Sequence, residues 1–270
     1  MASASDAPLG RPTVYADAYD AALLHAVPRA RGRSVWVPEG AELPFFGEDV
    51  WHCYELSWLG QQGLPRIALA RLRVPCDSPA IVESKSLKLY LNSFAQERAE
   101  EDAVAALLAR DIGKVVGCEV AVELLDARVP TATCVSAGEC LDGLTPTVSE
   151  YRCDPALLRT ATERGRDCVH TNLFRSICPI TGQPDWGTIT VSYAGRRLGR
   201  EDLLAYLVSY RLSPGFHEDA VERIFVDVRK ATEATELSVH GRFLRRGGID
   251  INPFRSMEAM SAPLERVPRQ

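Results

Sequence analysis

The chain lacks the devices that send a protein into or across a membrane. It has no signal-peptide apolar core and no apolar run long enough to span a bilayer, which points to a cytoplasmic protein without a membrane partner. It also lacks an excess of basic residues: 31 Lys and Arg stand against 36 Asp and Glu, a formal charge of −5. That balance disfavours nucleic acid as a direct partner. Among its eight cysteines no two are spaced as CxxC. Disulfides are not expected in a cytosolic chain of this length, and zinc would need ligands gathered from scattered positions, so no metal is expected. No GxGxxG follows a strand pattern, which leaves a Rossmann site without support. What remains is the composition of an ordinary globular protein, long enough at 270 residues for one large or two small domains.

The stretch that organises the chain is His170-Thr-Asn-Leu-Phe-Arg-Ser-Ile-Cys178-Pro-Ile-Thr-Gly-Gln-Pro-Asp185-Trp186. Residues 171–177 alternate as a strand does, and Pro179 and Gly182 force a turn just past the thiol. Residues 189–193 then read as the returning strand. A thiol at such a junction is either a nucleophile facing a pocket or one more small buried hydrophobe.

Residues 1–45, rich in Ala, Pro, Gly and Arg, read as an arm that packs late or is partly disordered. Strand patterns follow at 53–58 and 66–74, and helical spacing at 83–94 and 99–112, the second helix closed by Gly113. Strands are expected at 115–125 and 131–135. The second half repeats this order: strands at 171–177 and 187–193, helices at 200–211 and 218–230, and a strand at 236–244. Tyr90-Leu-Asn-Ser-Phe94 matches Tyr206-Leu-Val-Ser-Tyr210, and Glu101-Asp-Ala-Val104 matches Glu218-Asp-Ala-Val221. Such self-similarity predicts a duplicated ββααββ unit, an α+β protein with antiparallel sheets and helices on one face. The expected domains are the arm at 1–45, a first module at 46–140, a linker at 141–168 and a second module at 169–270. The second half holds Cys178, Asp185 and His217, and the first half has no equivalent of Cys178, so a complete site is expected to draw on both.

Three further groupings carry chemistry. Glu83-Ser-Lys-Ser-Leu-Lys88 opens a helix, and Glu83 and Ser84 there are either a cap or part of an anion site with Lys85 and Lys88. Gly215-Phe-His217-Glu218-Asp219 precedes another helix, where the acidic residues either cap it or Glu218 accepts the adjacent N–H donors of a guanine-like edge. Arg245-Arg-Gly-Gly-Ile-Asp250-Ile-Asn-Pro-Phe-Arg255 reads as a glycine-containing loop whose arginines and exposed amides suit a phosphate.

Glu83 to Phe94, Cys178-Pro-Ile-Thr-Gly-Gln-Pro-Asp185, Phe216-His-Glu218 and Arg246-Gly-Gly-Ile-Asp-Ile-Asn-Pro253 together resemble the motifs of the NADPH-dependent 7-cyano-7-deazaguanine (preQ0) reductases, in their long two-module form. The resemblance covers about residues 50–256 and matches four separated motifs in order. It implies the tunnelling fold shared with GTP cyclohydrolase, a homodimer, and reduction of a nitrile to an aminomethyl group in queuosine biosynthesis, a tRNA modification. It further implies Cys178 as nucleophile through a thioimide and Asp185 as proton donor. Val82, Glu83, Ser84, His217 and Glu218 would hold the deazaguanine, and Ser84, Lys85, Lys88, Arg246 and Gly247 would hold NADPH. The alternatives are a purine- or pterin-binding hydrolase of the same fold, or a non-catalytic binding module in which Cys178 is core.

Overall fold

Alternating and continuous apolar runs become ten strands and five helices among the described residues, which are 16, 18–38, 41–129 and 133–270 of a computed structural model. In chain order they are β1 (Ala26–Pro28), α1 (Ala30–Arg33), β2 (Phe46–Leu59), β3 (Pro65–Pro75), β4 (Ala80–Val82), α2 (Ser84–Ser93), α3 (Glu101–Val116) and β5 (Ala121–Leu125). They continue with β6 (Glu139–Cys140), β7 (Thr160–Ile177), β8 (Pro184–Leu198), α4 (Arg200–Ser209), α5 (His217–Thr232), β9 (Glu236–Phe243) and β10 (Ile249–Ser256). The chain forms two compact units, neither contiguous in sequence. The first takes its described residues from Met1–Arg31, Asp49–Thr131 and Arg245–Ile251; the second takes them from Gly32–Glu48, Ala132–Leu244 and Asn252–Gln270.

The first unit orders its strands β5-β3-β2, with β3 and β5 antiparallel from Leu69↔Leu125 to Arg73↔Ala121. Its core joins Trp51, Cys53 and Leu56 of β2 to Leu87, Tyr90 and Leu91 of α2 and Val104, Leu108 and Ile112 of α3. Both helices thus bury their apolar stripe in one core, as the helical spacing of these residues requires. The described part of the expected arm is ordered rather than loose: β1 pairs antiparallel with β4, and Arg29 forms a buried ion pair with Asp49 at 2.5 Å.

In the second unit the order is β10-β9-β8-β7-β6, antiparallel except for the parallel pair β6 and β7. Val221 of α5 lies so close to β9 that a Cβ on Gly241 would stand 2.6 Å from its Cγ2. The missing side chain lets helix and sheet touch. Buried Ile189, Val191 and Val239 from the sheet and Ile224, Phe225 and Val228 from the helix complete that core.

The duplication is visible down to side chains. α2 and α4 are each 10 residues long and α3 and α5 each 16. The Tyr90 hydroxyl donates to Asp111 at 2.8 Å, and the Tyr206 hydroxyl to Asp227 at 2.9 Å. Ser93 and Ser209 each donate back to the carbonyl of the matching tyrosine at 2.6 Å.

Several boundaries differ from the sequence expectation. Gly113 lies inside α3, and the left-handed cap is Gly117 at φ 80°. The strand expected at 115–125 is confined to β5 because α3 runs on to Val116. Of the strand expected at 131–135, residues 131 and 132 lie outside the described residues, and Thr133 forms only an isolated bridge with Arg266. The expected linker 141–168 ends earlier, since β7 begins at Thr160, and the loop expected after Arg245 continues as β10.

Candidate active site

β7 delivers the thiol. Between Thr171↔Ile189 and Phe174↔Gly187 the register with β8 shifts by one residue, a bulge that turns Phe174 and Ser176 onto the face shared with Gly187 and Asp185. Asp142 holds the bulge, accepting from the Thr171 hydroxyl at 2.6 Å and the Asn172 amide at 2.9 Å. Burial opposes ionisation of Asp142, but these hydrogen bonds prevail and hold its carboxyl below the usual range. Beyond Ile177 the chain closes on itself. The Cys178 amide donates to the Gln183 carbonyl at 2.9 Å, and the Gly182 amide, at φ 69°, donates to the Cys178 carbonyl at 3.0 Å. This closed turn returns Asp185 beside the end of β7, and both Cys178 (5% exposed) and Asp185 (7%) are buried.

The second arm of the site is the start of α5. Ile177 exchanges backbone hydrogen bonds with the loop before it: its amide donates to Ser213 and its carbonyl accepts from Gly215, both at 3.0 Å. That tie brings His217 Nε2 to 3.6 Å from Asp185 Oδ1, with the imidazole 3.9 Å from the Phe243 ring, centroid to centroid. Glu218, the next residue, is buried. Asp219 caps this helix start, accepting from the Phe216 amide at 3.4 Å. Cys178, Asp185, His217 and Glu218 therefore all belong to the second unit, with a thiol, a carboxyl and an imidazole near one strand end.

The remaining expected residues lie in the first unit. Glu83 caps α2 with both oxygens, accepting from the Lys85 and Ser86 amides at 2.8 Å each. Those amides are thus not free for an anion, and the expected role at this helix end falls to the side chains of Ser84, Lys85 and Lys88. Val82 ends β4 and is buried. Arg246 opens the turn into β10, donating its amide to Ile249 at 2.9 Å, with Gly247 (φ 56°) and Gly248 (φ 75°) at its tip. Two consecutive left-handed residues demand glycine. Asp250 pins the turn by accepting from Tyr54 at 2.7 Å and meeting His52 Nδ1 at 2.8 Å. Lys88 approaches closely enough that a Cβ on Gly247 would lie 2.8 Å from its Nζ. Burial and the nearby Arg246 guanidinium push the Lys88 ammonium below its ordinary range, against the pull of Glu83 and Glu55. Two cations held together beside exposed glycine backbone fit an anionic ligand.

Comparison with known proteins decides the family. A family model described as "Nitrile reductase, 7-cyano-7-deazaguanine-reductase N-term" matches residues 15–124, and one described as "QueF-like protein" matches 184–262. An NADPH-dependent 7-cyano-7-deazaguanine reductase of Chromohalobacter salexigens is 46% identical over 267 residues, 97% of this chain and 94% of its own length. The chain belongs to the 7-cyano-7-deazaguanine reductase family. A relative of the same name from Burkholderia vietnamiensis is 45% identical over 261 residues, covering 95% of each chain. A solved apo archaeosine synthase QueF-Like covers 38% of this chain at TM-score 0.31 and 20% identity, too remote to carry weight. For a member of this reductase family, sequence reasoning missed the residues that shape the site from behind: Asp142 at the bulge, Phe243 under His217, and Asp250 behind the glycine turn. Asp250 was inside a motif already singled out, and its burial in a strand was the missing signal.

Proposed function

We propose that this chain reduces the nitrile of 7-cyano-7-deazaguanine to 7-aminomethyl-7-deazaguanine (preQ1) with NADPH, in the cytoplasm and as a homodimer. The observation that supports the reading is the closed turn after the buried Cys178, which leads the chain back to Asp185, itself 3.6 Å from His217 Nε2, all three in one unit. A nitrile accepts hydride poorly, and a thiolate adding first converts its carbon into a better electrophile, the thioimide. Cys178 Sγ forms the new bond to that carbon. Asp185 carries the thiol proton to the nitrile nitrogen, so addition consumes no outside proton. His217 keeps the Asp185 carboxyl turned toward the thiol, and Glu218 accepts the paired N–H donors of the guanine-like edge. Lys85, Lys88 and Arg246 hold the cofactor phosphates with the Gly247 backbone, and Ser84 stands at the same helix start. Each NADPH would supply one hydride when bound, so two successive NADPH molecules are needed per nitrile. The roles of Val82, Glu83 and Ser84 toward the deazaguanine rest on the family resemblance.

The test is the covalent step. Without NADPH, protein mixed with the nitrile should gain the mass of one substrate on Cys178, with a new near-UV band from the conjugated C=N. Cys178→Ala should bind the nitrile but show neither the band nor turnover, and Asp185→Asn should form the adduct far more slowly. Appreciable reduction by Cys178→Ala would exclude covalent catalysis.

A further inference from the structure

Addition of the thiol is proton-neutral, but each later hydride step draws one proton from solvent, and Asp185 is only 7% exposed. Ser176 stands where a supply line would have to pass. It is the direct partner of Asp185 in the β7–β8 register, so the two side chains share one face, about 4.5–5.5 Å apart at Cβ. The residue is 1% exposed, and its hydroxyl has no hydrogen-bond partner among the described residues. An unsatisfied buried hydroxyl is destabilising, a cost that a water or a transient partner removes. Ser176 also lines a cavity of about 240 Å³ in the second unit, with Ser213, Asp219 and Arg223 among its polar walls. The cavity reaches solvent beside the exposed Val35 and Pro214. At roughly 30 Å³ per water it has room for several.

We propose, building on the nitrile-reductase reading above, that this cavity is the proton inlet of the site and that Ser176 is its last link. After Asp185 gives its proton to the substrate nitrogen, the Ser176 hydroxyl donates to the carboxylate and takes a proton from cavity water. The resulting deficit passes out to bulk solvent. One proton enters per hydride, no electrons move through the relay, and Ser176 itself is unchanged. Ser176 is a positioning residue acting through Asp185, not a group that touches substrate.

The experiment compares wild type, Ser176→Ala and Ser176→Thr as full chains, each in two assays. One follows thioimide formation without NADPH; the other follows steady-state NADPH oxidation in light and heavy water. Ser176→Ala should form the adduct at the wild-type rate with unchanged nitrile affinity, while its kcat falls about tenfold or more, the scale of a lost acid–base contribution. Its solvent isotope effect should rise, because proton resupply becomes limiting. Ser176→Thr, which keeps the hydroxyl, should restore kcat. An unchanged kcat in Ser176→Ala overturns the relay. So does an equal fall in adduct formation and kcat, since that marks a residue that only supports the shape of the site. Failure of Ser176→Thr to restore turnover overturns it as well. Wild type that oxidises no NADPH with the nitrile defeats the reductase reading itself, and is seen before any variant is made.

Discussion

At the scale of single residues, the site depends on which polar groups are buried and what they face. Glu218 is buried beside His217, and Asp219 caps the start of α5. Glu218→Gln keeps the shape but turns an amide donor toward the N–H donors of the base. The mismatch should cost about 1–3 kcal/mol, or roughly tenfold in affinity for every 1.4 kcal/mol. Calorimetry should show weaker nitrile binding with NADPH binding intact; equal nitrile affinities would remove Glu218 from the site. Much at this scale was legible, because Cys178 and Asp185 sit on either side of a turn whose Pro and Gly are readable as letters. Ser176 was not. Its importance comes from pairing with Asp185 across two strands, and that register depends on a bulge no local pattern announces.

At the scale of elements, the helices were largely legible and the strands less so. The apolar stripes of α2, α3 and α5 follow the helical period, whereas α4 is buried over the continuous run Leu203–Leu207. Tyr90 and Tyr206 announced the repeat, but the match of Glu101 to Glu218 is one residue out, since Glu101 and His217 begin the equivalent helices. Gly113 misled because its lack of a side chain serves packing: a Cβ there would lie 2.9 Å from the Cys118 carbonyl oxygen. β10 was invisible because it is buried on both faces, charges included, and contains Pro253, so it shows no alternation. The turn before it carries a pH prediction. In the proposed cofactor role Lys88 attracts a phosphate only while protonated, and that attraction is lost as pH rises through its pKa. Burial and Arg246 lower that pKa, so NADPH affinity should weaken on the alkaline side sooner than an ordinary lysine would require. Binding should take up protons there, and Lys88→Arg, which stays charged, should move this limb to higher pH. Titrating the NADPH dissociation constant against pH checks it. Superimposable alkaline limbs would mean that Lys88 does not face the cofactor.

At the scale of the whole molecule, each unit is stitched from distant stretches, which a sequential reading of domains does not anticipate. In the second unit, Glu222 of α5 binds Arg33 at 2.7 Å and Arg255 at 2.7 Å, all three side chains largely withdrawn from water. Glu222→Ala would leave two guanidinium groups without their shared carboxylate, an expected loss of about 3–5 kcal/mol. Denaturant unfolding should show a midpoint shift of that size. A shift no larger than that of an exposed charge change would mean the cluster adds little. Composition could not reveal this triad, because its members lie some 190 and 33 positions from Glu222 along the chain.

The same stitching sets a timetable during synthesis. Arg33 leaves the ribosome early and waits for Arg255, and the strand that carries Arg255 is the neighbour β9 must pair with. Until then β9 presents an open edge, the kind of surface on which nascent chains stick to one another. At about 5–20 residues per second, making residues 33 to 255 takes roughly ten to forty seconds. Through nearly all of that interval neither unit has all of its pieces, and the second waits longest, since its last stretch begins only at Asn252.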